Sequence, residues 1–380
     1  MAELLYMKAL VDPGRALTDD EKSRYSRHLL IPSIDLVGQE RIINAKILCI
    51  GAGGLGSPTI MYLAAAGVGL IGIADFDKVE INNLQRQIIH TQADIGKNKA
   101  QSANEKVIAL NPNIEVVLHE VRIDESNALE IFKNYDLIID GTDNFATRYL
   151  INDAAAILGK PYIWGSIYRF DGQVSVFWSK FGPCYRCLHP TPPTAGSVPS
   201  CAEGGVFGVL CGAIGSVQSN EAIKLITGLG KPLLGDLLIY DALESSYQKI
   251  SIIKNQNCPI CNGTQTNLLT NYEAFCNPNS ESITAKELSN KFETNSDFLL
   301  IDVREPDEYA TNSIPGAILI PKGKFEDGSA FQAIPRDKEI ILHCRSGVRS
   351  ANCLALLRTA GYKNITHLEG GIIAWEESMK

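Results

Sequence analysis

The chain has 380 residues, 45% of them hydrophobic, and a formal net charge of −8. One core rarely grows to this size, so two domains are predicted; the acidic balance argues against nucleic-acid binding, and no apolar run reaches the roughly 18 residues of a membrane span. The ten cysteines and an N-terminal stretch unlike a signal peptide indicate a reducing cytoplasm, where cysteines serve as metal ligands or reactive thiols.

Residues 46–166 alternate between strand-like apolar runs and stretches with helical spacing of apolar residues. This succession predicts an α/β fold with a Rossmann-like, doubly wound and largely parallel sheet, covered by helices on both faces. The predicted strands are Lys46–Ile50, Leu70–Asp75, Ile114–His119, Asp136–Asp140 and Pro161–Ser166, and the predicted helices are Pro58–Ala66, Lys97–Leu110, Asn127–Phe132 and Phe145–Leu158. Further along, Gln173–Trp178 has the alternation of a half-exposed strand, Gly212–Thr227 is predicted to be a helix and Leu237–Asp241 a strand.

A stretch rich in Asn, Thr and Ser follows at residues 262–281, and its lack of any sustained period is typical of a linker. A second, smaller α/β series comes after it: Phe298–Val303, Ala317–Pro321, Ile340–Cys344, Val348–Thr359 and Ile365–Leu368. We therefore expect an N-terminal domain at residues 1–265, a linker at 266–281 and a C-terminal domain at 282–380.

The first candidate site is the turn Gly51-Ala52-Gly53-Gly54-Leu55-Gly56, which stands between a predicted strand and a predicted helix. Glycines at such a turn let backbone N–H groups approach a phosphate closely, and the helix N-terminus adds positive potential. The next strand ends in Asp75, which can accept hydrogen bonds from a ribose. Taken alone, this pattern also suits an oxidoreductase that binds a dinucleotide.

Charged residues after this turn favour a nucleoside triphosphate over a nicotinamide. Arg86 and Lys99 can neutralise the charge of an α-phosphate under attack, although each alone could be a solvated surface charge. Asp143 and Asn144 follow a predicted parallel strand, whose carboxyl end faces the ligand crevice of such a sheet. A carboxylate in that crevice can hold Mg²⁺, which stabilises departing pyrophosphate.

Two Cys-x-x-Cys pairs lie far apart in the sequence, at Cys184 and Cys187 and at Cys258 and Cys261. Either pair alone could be a redox dithiol. Together they supply four thiolates for a tetrahedral Zn²⁺ site, which would clip two remote segments together. Four cysteines leave no open coordination position, so the predicted zinc site is structural.

Two further cysteines are candidate nucleophiles. Cys201 lies among small residues in a predicted loop, and Cys344 opens a loop between an apolar strand and the helix that begins near Val348. The N–H groups of that loop should converge on the sulfur, and the helix dipole with Arg345 and Arg349 adds positive potential. This environment favours a thiolate and an anionic persulfide, which indicates sulfur transfer. A cysteine phosphatase loop relies on related physics but usually has its arginine one position later.

Together these motifs resemble the molybdopterin-synthase adenylyltransferase/sulfurtransferase family, in which a MoeB/ThiF-type adenylation domain of the ubiquitin-activating kind is fused to a rhodanese domain. The resemblance covers nearly the whole chain. It rests on RYSR at 24–27, the glycine turn, Asp75, NNLQRQ at 82–87, Lys99, TDN at 142–144, the four paired cysteines, Cys201, DVRE at 302–305, IPGA at 314–317, CRSGVR at 344–349 and LEGG at 368–371.

The resemblance implies an ATP site, a homodimer in which Arg27 reaches the neighbouring subunit's nucleotide, and two protein partners. One partner is a small ubiquitin-like sulfur carrier, and the other is a persulfide donor such as a cysteine desulfurase. Cys344 would carry the persulfide, and Cys201 would be the thiol of the adenylation domain. The residues implied to line the ATP site are Gly51, Gly53, Gly54, Asp75, Asn82, Asn83, Leu84, Gln85, Arg86, Lys99, Asp143 and Asn144.

The principal hypothesis is therefore an enzyme that joins the carrier's C-terminal glycine to AMP and then converts it to a thiocarboxylate with the persulfide on Cys344. Cys201 would attack the mixed acyl–sulfur species, leaving a disulfide to Cys344 and releasing the product. Two alternatives stay open from the sequence: an NAD-dependent oxidoreductase on the same glycine turn, and a non-catalytic scaffold for a ubiquitin-like partner.

Overall fold

A computed structural model of the chain describes residues 8–193, 204–276, 282–294 and 296–379. The chain divides into two units: the described residues 8–192 and 204–272 belong to the first, and residue 193 and the described residues from 273 onward belong to the second. The finer limits expected from the sequence, with a linker at residues 266–281, stay a prediction. Among the described residues, no helix combines the length and the apolar character needed to cross a bilayer.

The first unit is built on an eight-stranded sheet. Its strands are β1 (Lys46–Ile50), β2 (Leu70–Ala74), β3 (Glu115–His119), β4 (Leu137–Asp140), β5 (Tyr162–Tyr168), β6 (Asp171–Phe177), β7 (Asp236–Asp241) and β8 (Ser246–Ser251). They lie in the order β3-β2-β1-β4-β5-β6-β7-β8, with β1 to β5 parallel and the remaining pairings antiparallel. Because the strand order reverses between β1 and β4, a ligand crevice is expected at the carboxyl ends of these two strands.

Two features of this sheet differ from the sequence prediction. The strand expected at Gln173–Trp178 is present as β6, but its predicted half-exposure is wrong, because β6 lies between β5 and β7 and most of its side chains are buried. Even Ser175 is buried, with its hydroxyl donating to the carbonyl of Asp236 over 3.0 Å. The edge strand β8 is not predicted at all, since its side chains are all exposed and show no alternation of burial.

The described helices of the first unit cover the sheet, and a side-chain cap determines where one of them begins. Asn98 caps the helix that follows it by accepting from the N–H groups of Ala100 and Gln101, which explains why this helix begins at Lys99. The helices are α1 (Asp19–Arg24), α2 (Ser26–Leu29), α3 (Asp35–Asn44), α4 (Gly56–Ala66), α5 (Lys99–Leu110), α6 (Ala128–Phe132), α7 (Phe145–Ile157), α8 (Tyr185–Leu188) and α9 (Gly208–Thr227).

The second unit has a five-stranded parallel sheet. Its strands are β9 (Ser282–Ile283), β10 (Phe298–Asp302), β11 (Ile318–Leu319), β12 (Glu339–His343) and β13 (Ile365–Leu368), in the order β11-β10-β12-β13-β9. Successive residues of the central strands enter different hydrophobic clusters, Ile341 in one and Leu342 in the other, so both faces of the sheet are covered. The described helices from residue 272 onward are α10 (Tyr272–Cys276), α11 (Ala285–Glu293), α12 (Pro306–Thr311), α13 (Lys322–Glu326), α14 (Val348–Thr359) and α15 (Gly371–Ser378).

Part of the expected linker is held against the first unit. The hydroxyl of Tyr272, a buried residue, donates to Asp153 Oδ2 over 2.8 Å, and Gln265 Nε2 donates to the same oxygen over 3.2 Å. Burial next to Asp153 raises the pKa of Tyr272, so the phenol stays protonated and remains a donor. Residues 265–272 are therefore anchored to the sheet domain by buried polar contacts.

Candidate functional site

The glycine turn lies at the carboxyl end of β1, beside the loop that follows β4. Gly51 has a φ of 92°, and a Cβ there would lie 3.1 Å from the carbonyl oxygen of Gly141. A Cβ at Gly56, the first residue of α4, would overlap the carbonyl oxygen of Gly51. The turn therefore needs glycine at these positions for steric reasons, and it places the backbone of residues 51–56 at the crevice between β1 and β4.

Asp75 follows β2 and binds the glycine turn directly. Its Oδ2 accepts from the N–H of Ala52 over 2.8 Å, and its Oδ1 accepts from the N–H of Asp77 over 2.9 Å. Burial raises the pKa of Asp75, while the charge of Lys99 and the two N–H groups act in the opposite direction. The carboxylate is thus fixed beside the turn, as a ribose-binding residue must be.

His90 supports the same turn and is not predicted by the sequence analysis. Its Nε2 lies 3.0 Å from the carbonyl oxygen of Ala52, and its Nδ1 lies 2.9 Å from the hydroxyl oxygen of Ser102. Burial lowers the pKa of His90, which favours a neutral ring that can donate from one nitrogen and accept at the other. No sequence motif marks it, because its role depends on a contact between residues 38 positions apart.

The segment 82–87 packs against the glycine turn. Arg86 is half-buried, its Nη1 donates to the carbonyl of Asn82 over 3.1 Å, and its Cγ would lie 3.6 Å from a Cβ at Gly54. Asn83 is buried, Leu84 is half-buried, and Asn82 and Gln85 are exposed. Buried Gln87 also lies against the turn, because its Nε2 would lie 3.6 Å from a Cβ at Gly53.

Lys99 is buried at the start of α5, and its ammonium contacts a carboxylate that the sequence analysis overlooks. Its Nζ lies 3.0 Å from Oδ2 of Asp77, two residues beyond Asp75. Asp77 is exposed, so this ion pair is partly open to water and a phosphate can compete for the ammonium. The signal for Asp77 is its place just past a strand end, the same signal that identifies Asp75 and Asp143.

The loop after β4 carries one buried and one exposed carboxylate. Asp140 is buried, and its Oδ1 accepts from the N–H and the hydroxyl of Thr142, which shapes the loop. Burial raises the pKa of Asp140 to about 6. Asp143 is exposed at the same edge of the sheet. Asn144 instead caps α7, with its side-chain oxygen accepting from the N–H of Thr147.

Arg27 is exposed on α2, and Cys201 lies outside the described residues. The assignment of Arg27 to a neighbouring subunit and that of Cys201 to a reactive thiol stay predictions. The structure thus brings together the glycine turn, Asp75, Arg86 and Lys99, with the loop that leads to Asp143 beside them.

The two Cys-x-x-Cys pairs meet in space. Their four sulfur atoms all lie within 4.8 Å of one another, with separations of 3.8 Å for Cys184 and Cys187, 3.5 Å for Cys184 and Cys258, and 3.6 Å for Cys187 and Cys261. A tetrahedral ion with metal–sulfur bonds of about 2.3 Å requires sulfur atoms about 3.8 Å apart. The donor set fits Zn²⁺.

In the second unit, Cys344 follows β12 and its side chain is buried. The N–H of Gly347 donates to its Sγ over 3.2 Å, as expected for a loop that stabilises a sulfur anion. The hydroxyl of Ser350, on the first turn of α14, lies 3.7 Å from the same sulfur. One expected contributor differs: Arg349 forms a two-fold ion pair with Glu308, at 2.5 and 2.7 Å, so much of its charge is neutralised there.

The LEGG motif at residues 368–371 packs against the backbone of the loop that begins at Cys344. Gly370 and Gly371 both have positive φ, and a Cβ at Gly371 would clash with the carbonyl oxygen of Cys344. The N–H of Ile372 donates to that same carbonyl over 2.8 Å. The start of α15 therefore fixes the backbone on which the cysteine sits.

The DVRE motif has a structural part in the same unit. Asp302 and Arg304 are buried and joined by several hydrogen bonds, the shortest of 2.7 Å, and Arg304 also binds Asn312. This network lies beside His343, whose Nε2 is 3.7 Å from Asp302. It holds the end of β12, from which Cys344 projects.

Comparisons with known proteins agree with this division. Residues 25–260 match the ThiF family, and residues 284–378 match the rhodanese-like domain. The adenylyltransferase/sulfurtransferase MoeZ of Mycobacterium tuberculosis is 52% identical, over 98% of this chain and 97% of that protein. The sulfur carrier protein adenylyltransferase of Thermus thermophilus is 51% identical, over 68% of this chain and 98% of its own length. MOCS3 of Drosophila ananassae, an adenylyltransferase and sulfurtransferase, is 39% identical, over 94% of this chain and 84% of its own.

Among solved structures, MccB of E. coli shares the fold of the larger part of the chain. It has a TM-score of 0.57 and 22% identity, over 63% of this chain and 74% of that one.

A nucleotide-binding type of crevice in one unit and a cysteine loop in the other define an adenylating enzyme joined to a sulfurtransferase domain. The chain belongs to the ThiF family and carries a rhodanese-like domain toward its C-terminus. The predicted fold class and the predicted kind of enzyme, a sulfur-carrier adenylyltransferase with a sulfurtransferase domain, are thereby confirmed. The relatives are transferases by name, which favours this prediction over an oxidoreductase or a non-catalytic scaffold.

Proposed function

We propose that this enzyme adenylates the C-terminal glycine of a small ubiquitin-like sulfur-carrier protein and then converts it to a thiocarboxylate with sulfur carried on Cys344. The observation that carries the proposal is that one chain contains both a nucleotide-type crevice and a cysteine loop. A glycine turn bound to Asp75 stands at the sheet crevice, and a cysteine sulfur in the second unit receives the N–H of Gly347. The crevice would activate the carrier's C-terminal carboxylate as an electrophile, and the cysteine loop would supply the sulfur nucleophile.

In the first step, the carrier's carboxylate attacks the α-phosphate of ATP, forming an acyl–adenylate and releasing pyrophosphate. The backbone N–H groups of the turn would bind phosphate oxygens, and Asp75 would hold the ribose. Arg86 and Lys99 would neutralise the charge that develops on the α-phosphate. The partly exposed pair of Lys99 with Asp77 supports this role, because the ammonium is positioned before ATP arrives.

Mg²⁺ and Zn²⁺ would have separate places in the enzyme. The exposed carboxylate of Asp143 suits Mg²⁺, which when bound would neutralise the leaving pyrophosphate. Cys184, Cys187, Cys258 and Cys261 would hold Zn²⁺ as a structural clip, since their sulfur separations match a closed tetrahedral site.

In the second step, the terminal sulfur of a persulfide on Cys344 attacks the carbonyl carbon of the adenylate. A carbon–sulfur bond forms, the bond to the phosphate oxygen breaks, and AMP leaves with the electron pair. A thiolate then attacks Sγ of Cys344, which releases the thiocarboxylate and leaves a disulfide. We assign that last thiolate to Cys201.

The partners and surroundings follow from the same chemistry. A persulfide donor such as a cysteine desulfurase would load Cys344, and a homodimer would bring Arg27 to the nucleotide of the neighbouring subunit. The chemistry of metal-ligating and persulfide-carrying cysteines suits a reducing compartment such as the cytoplasm.

Exchange of labelled pyrophosphate into ATP, dependent on added carrier and on Mg²⁺, tests the first step. Asp143→Ala should abolish it, whereas Glu130→Ala, which removes an exposed carboxylate from α6, should leave it unchanged. Full exchange in Asp143→Ala would contradict the assignment of Asp143.

Loss of the nucleophile tests the second step separately. Cys344→Ala should keep pyrophosphate exchange and lose sulfur transfer from thiosulfate to the carrier, scored by the mass gain of sulfur for oxygen. Cys353→Ala removes another buried thiol from α14 and should retain both activities if it folds. Persistence of transfer in Cys344→Ala would contradict the proposal for the second domain.

A further inference from the structure

Two buried side chains beside Cys344 have no part in the steps above. The hydroxyl oxygen of Ser350 lies 3.7 Å from Sγ of Cys344 and 3.4 Å from Nδ1 of His367. Ser350 lies on α14 and is fully buried, and His367 lies on β13 and is 8% exposed. An imidazole, a hydroxyl and the reacting sulfur therefore form a continuous polar chain inside the second unit.

The hydroxyl of Ser350 has one proton, for which the carbonyl oxygen of Gly347 and Sγ of Cys344 compete when Nδ1 of His367 carries a proton. In the resting arrangement it lies 3.0 Å from the carbonyl oxygen of Gly347, which is closer than the sulfur. A neutral thiol is a weak acceptor, so the carbonyl competes successfully with it. A sulfur anion changes this balance, because hydrogen bonds to an ionised acceptor are about twice as strong as neutral ones.

His367 controls which way that hydroxyl can point. Burial lowers the pKa of His367 to about 4, so its ring is neutral at neutral pH and carries one N–H. An N–H on Nδ1 would donate to the oxygen of Ser350, which then keeps its own proton free to donate onward. The present distances are long, as those of catalytic hydrogen bonds often are before the reacting charge develops.

We propose that Ser350 donates a hydrogen bond to the sulfur anion of Cys344 and that His367 orients this hydroxyl by donating to it from Nδ1. Ser350 is thereby a catalytic residue and His367 a positioning residue. The inference rests on the proposed function of Cys344 as the sulfur carrier.

The hydrogen-bond chain from His367 through Ser350 acts when Cys344 is loaded with a persulfide. Thiolate Sγ of Cys344 attacks the outer sulfur of a donor persulfide, a new sulfur–sulfur bond forms, and the donor's own sulfur–sulfur bond breaks as its thiolate leaves with the electron pair. Ser350 keeps its proton throughout, so it stabilises the charge without serving as an acid or a base.

Other groups that face this sulfur contribute differently. The N–H of Gly347 donates to it, and the charge of Arg349 is shared with Glu308. Cys353 stays a neutral thiol at neutral pH, because burial raises its pKa to about 12. The contribution of Ser350 can therefore be measured against a constant background of charge.

The test follows alkylation of Cys344 by iodoacetamide across pH 5–10 in the full chain, read by mass spectrometry of the peptide that contains it. Ser350→Ala should move the midpoint of the pH–rate profile up by about one unit and slow alkylation about tenfold below it, as expected for loss of one bond to a charged acceptor. His367→Leu should shift the midpoint in the same direction by less. Thiosulfate-to-cyanide sulfur transfer should fall in parallel in both variants.

Conservative replacements and a matched control separate this role from a structural one. Ser350→Thr keeps a hydroxyl and His367→Asn keeps a donor, so both should restore most of the wild-type profile. Thr359→Ala removes another hydroxyl that binds a backbone carbonyl on the same helix, and it should change nothing. Should Ser350→Ala fail to fold, the comparison of His367→Leu with His367→Asn carries the test.

An unchanged profile in folded Ser350→Ala, with Cys344→Ala inactive in sulfur transfer, would overturn this inference and leave the proposed function intact. Sulfur transfer that survives in Cys344→Ala would instead overturn the proposed function on which the inference rests.

Discussion

Buried carboxylates in both units fix the backbone of loops beside the candidate sites. Asp75 holds the glycine turn through the N–H of Ala52, and Asp140 holds its loop through Thr142. Asp302 does the same in the second unit through Arg304. Asp143, by contrast, is exposed at the end of a loop that a buried carboxylate has already shaped. In the proposed mechanism the buried Asp140 would preorganise this loop, and Asp143 would hold the Mg²⁺ that stabilises phosphate charge.

Burial of a titratable ring beside Cys344 makes the stability of the second unit depend on pH. Burial lowers the pKa of His343 to about 4, from an ordinary value near 6.5. Between these values the unfolded chain binds a proton that the folded unit excludes, so His343 alone should lower the free energy of unfolding by up to roughly 3 kcal/mol as pH drops from about 6.5 to 4, in addition to the similar contribution of His367. His343→Leu should make this decline shallower in calorimetry of the full chain at several pH values.

His28→Leu, a replacement in the first unit, is the control and should leave the pH slope of the second unit's transition unaltered. Hydrogen exchange of peptides from β12 identifies that transition. An identical slope in His343→Leu and the wild type would show that the imidazole is not excluded from protonation.

The glycine turn and the start of α4 pack so closely that one added methyl group would displace the turn. A Cβ at Gly56 would overlap the carbonyl of Gly51, so Gly56→Ala should displace the turn and lower carrier-dependent pyrophosphate exchange about a hundredfold. Gly212→Ala, inside α9 with no atom within 4 Å of the added Cβ, should keep full exchange and gain about 0.5–1 kcal/mol of stability. Equal exchange in the two variants would show that the turn tolerates a side chain.

The start of α15 also requires a glycine, because an added methyl group there would clash with the cysteine loop. Gly371 has a φ of 59°, and its replacement by Ala would also drive a methyl group into the carbonyl of Cys344. We expect Gly371→Ala to destabilise the second unit by more than about 2 kcal/mol and to abolish sulfur transfer. Gly323→Ala, in α13 with open space around the added Cβ, should be neutral in both thermal unfolding and transfer. Wild-type transfer in Gly371→Ala would contradict this account.

Some strands, helices and site residues can be predicted from the sequence alone, and others cannot. Strand β1 and helix α14 are predicted with the limits that the structure has, because an apolar run and a helical period mark them. The exposed edge strand β8 gives no such signal. At the sites, Cys344 and the four paired cysteines are marked by motifs, whereas His90 and His367 act through contacts between distant residues. Pairing of Arg349 with Glu308 likewise depends on packing that spacing does not reveal.

Across the whole molecule, the connection between the units shortens once its first residues are anchored. A free chain of about 20 residues would span roughly 25 Å on average. With Tyr272 bound to Asp153 and residues 273–276 in helix α10, only residues 277–281 lie between that helix and the strand that begins at Ser282. A short tether keeps the effective concentration of one site near the other high, of order millimolar.

The anchor of that tether is connected to the cysteine cluster. Arg186 lies between Cys184 and Cys187 and forms a two-fold ion pair with Asp153, at 2.8 and 2.7 Å, and Asp153 in turn binds Tyr272 and Gln265. All of these bonds converge on one buried carboxylate, so movement of the segment that carries Arg186 would leave Asp153 without its cation, which is costly in a buried site.

Removal of the proposed zinc ion should therefore loosen the segment at residues 262–276 from which the connection starts. Chelation, or Cys258→Ser, should increase hydrogen exchange in peptides covering residues 262–276 and lower the unfolding temperature of the first unit. Tyr272→Phe is the matched variant: it removes the hydroxyl bond to Asp153, so the same peptides should exchange faster while the zinc content stays that of the wild type. Unchanged exchange after complete loss of zinc would show that the cluster and the tether are independent. Faster exchange in the metal-free protein and in Tyr272→Phe alike would show that one buried carboxylate links the metal clip to the connection between the two catalytic units.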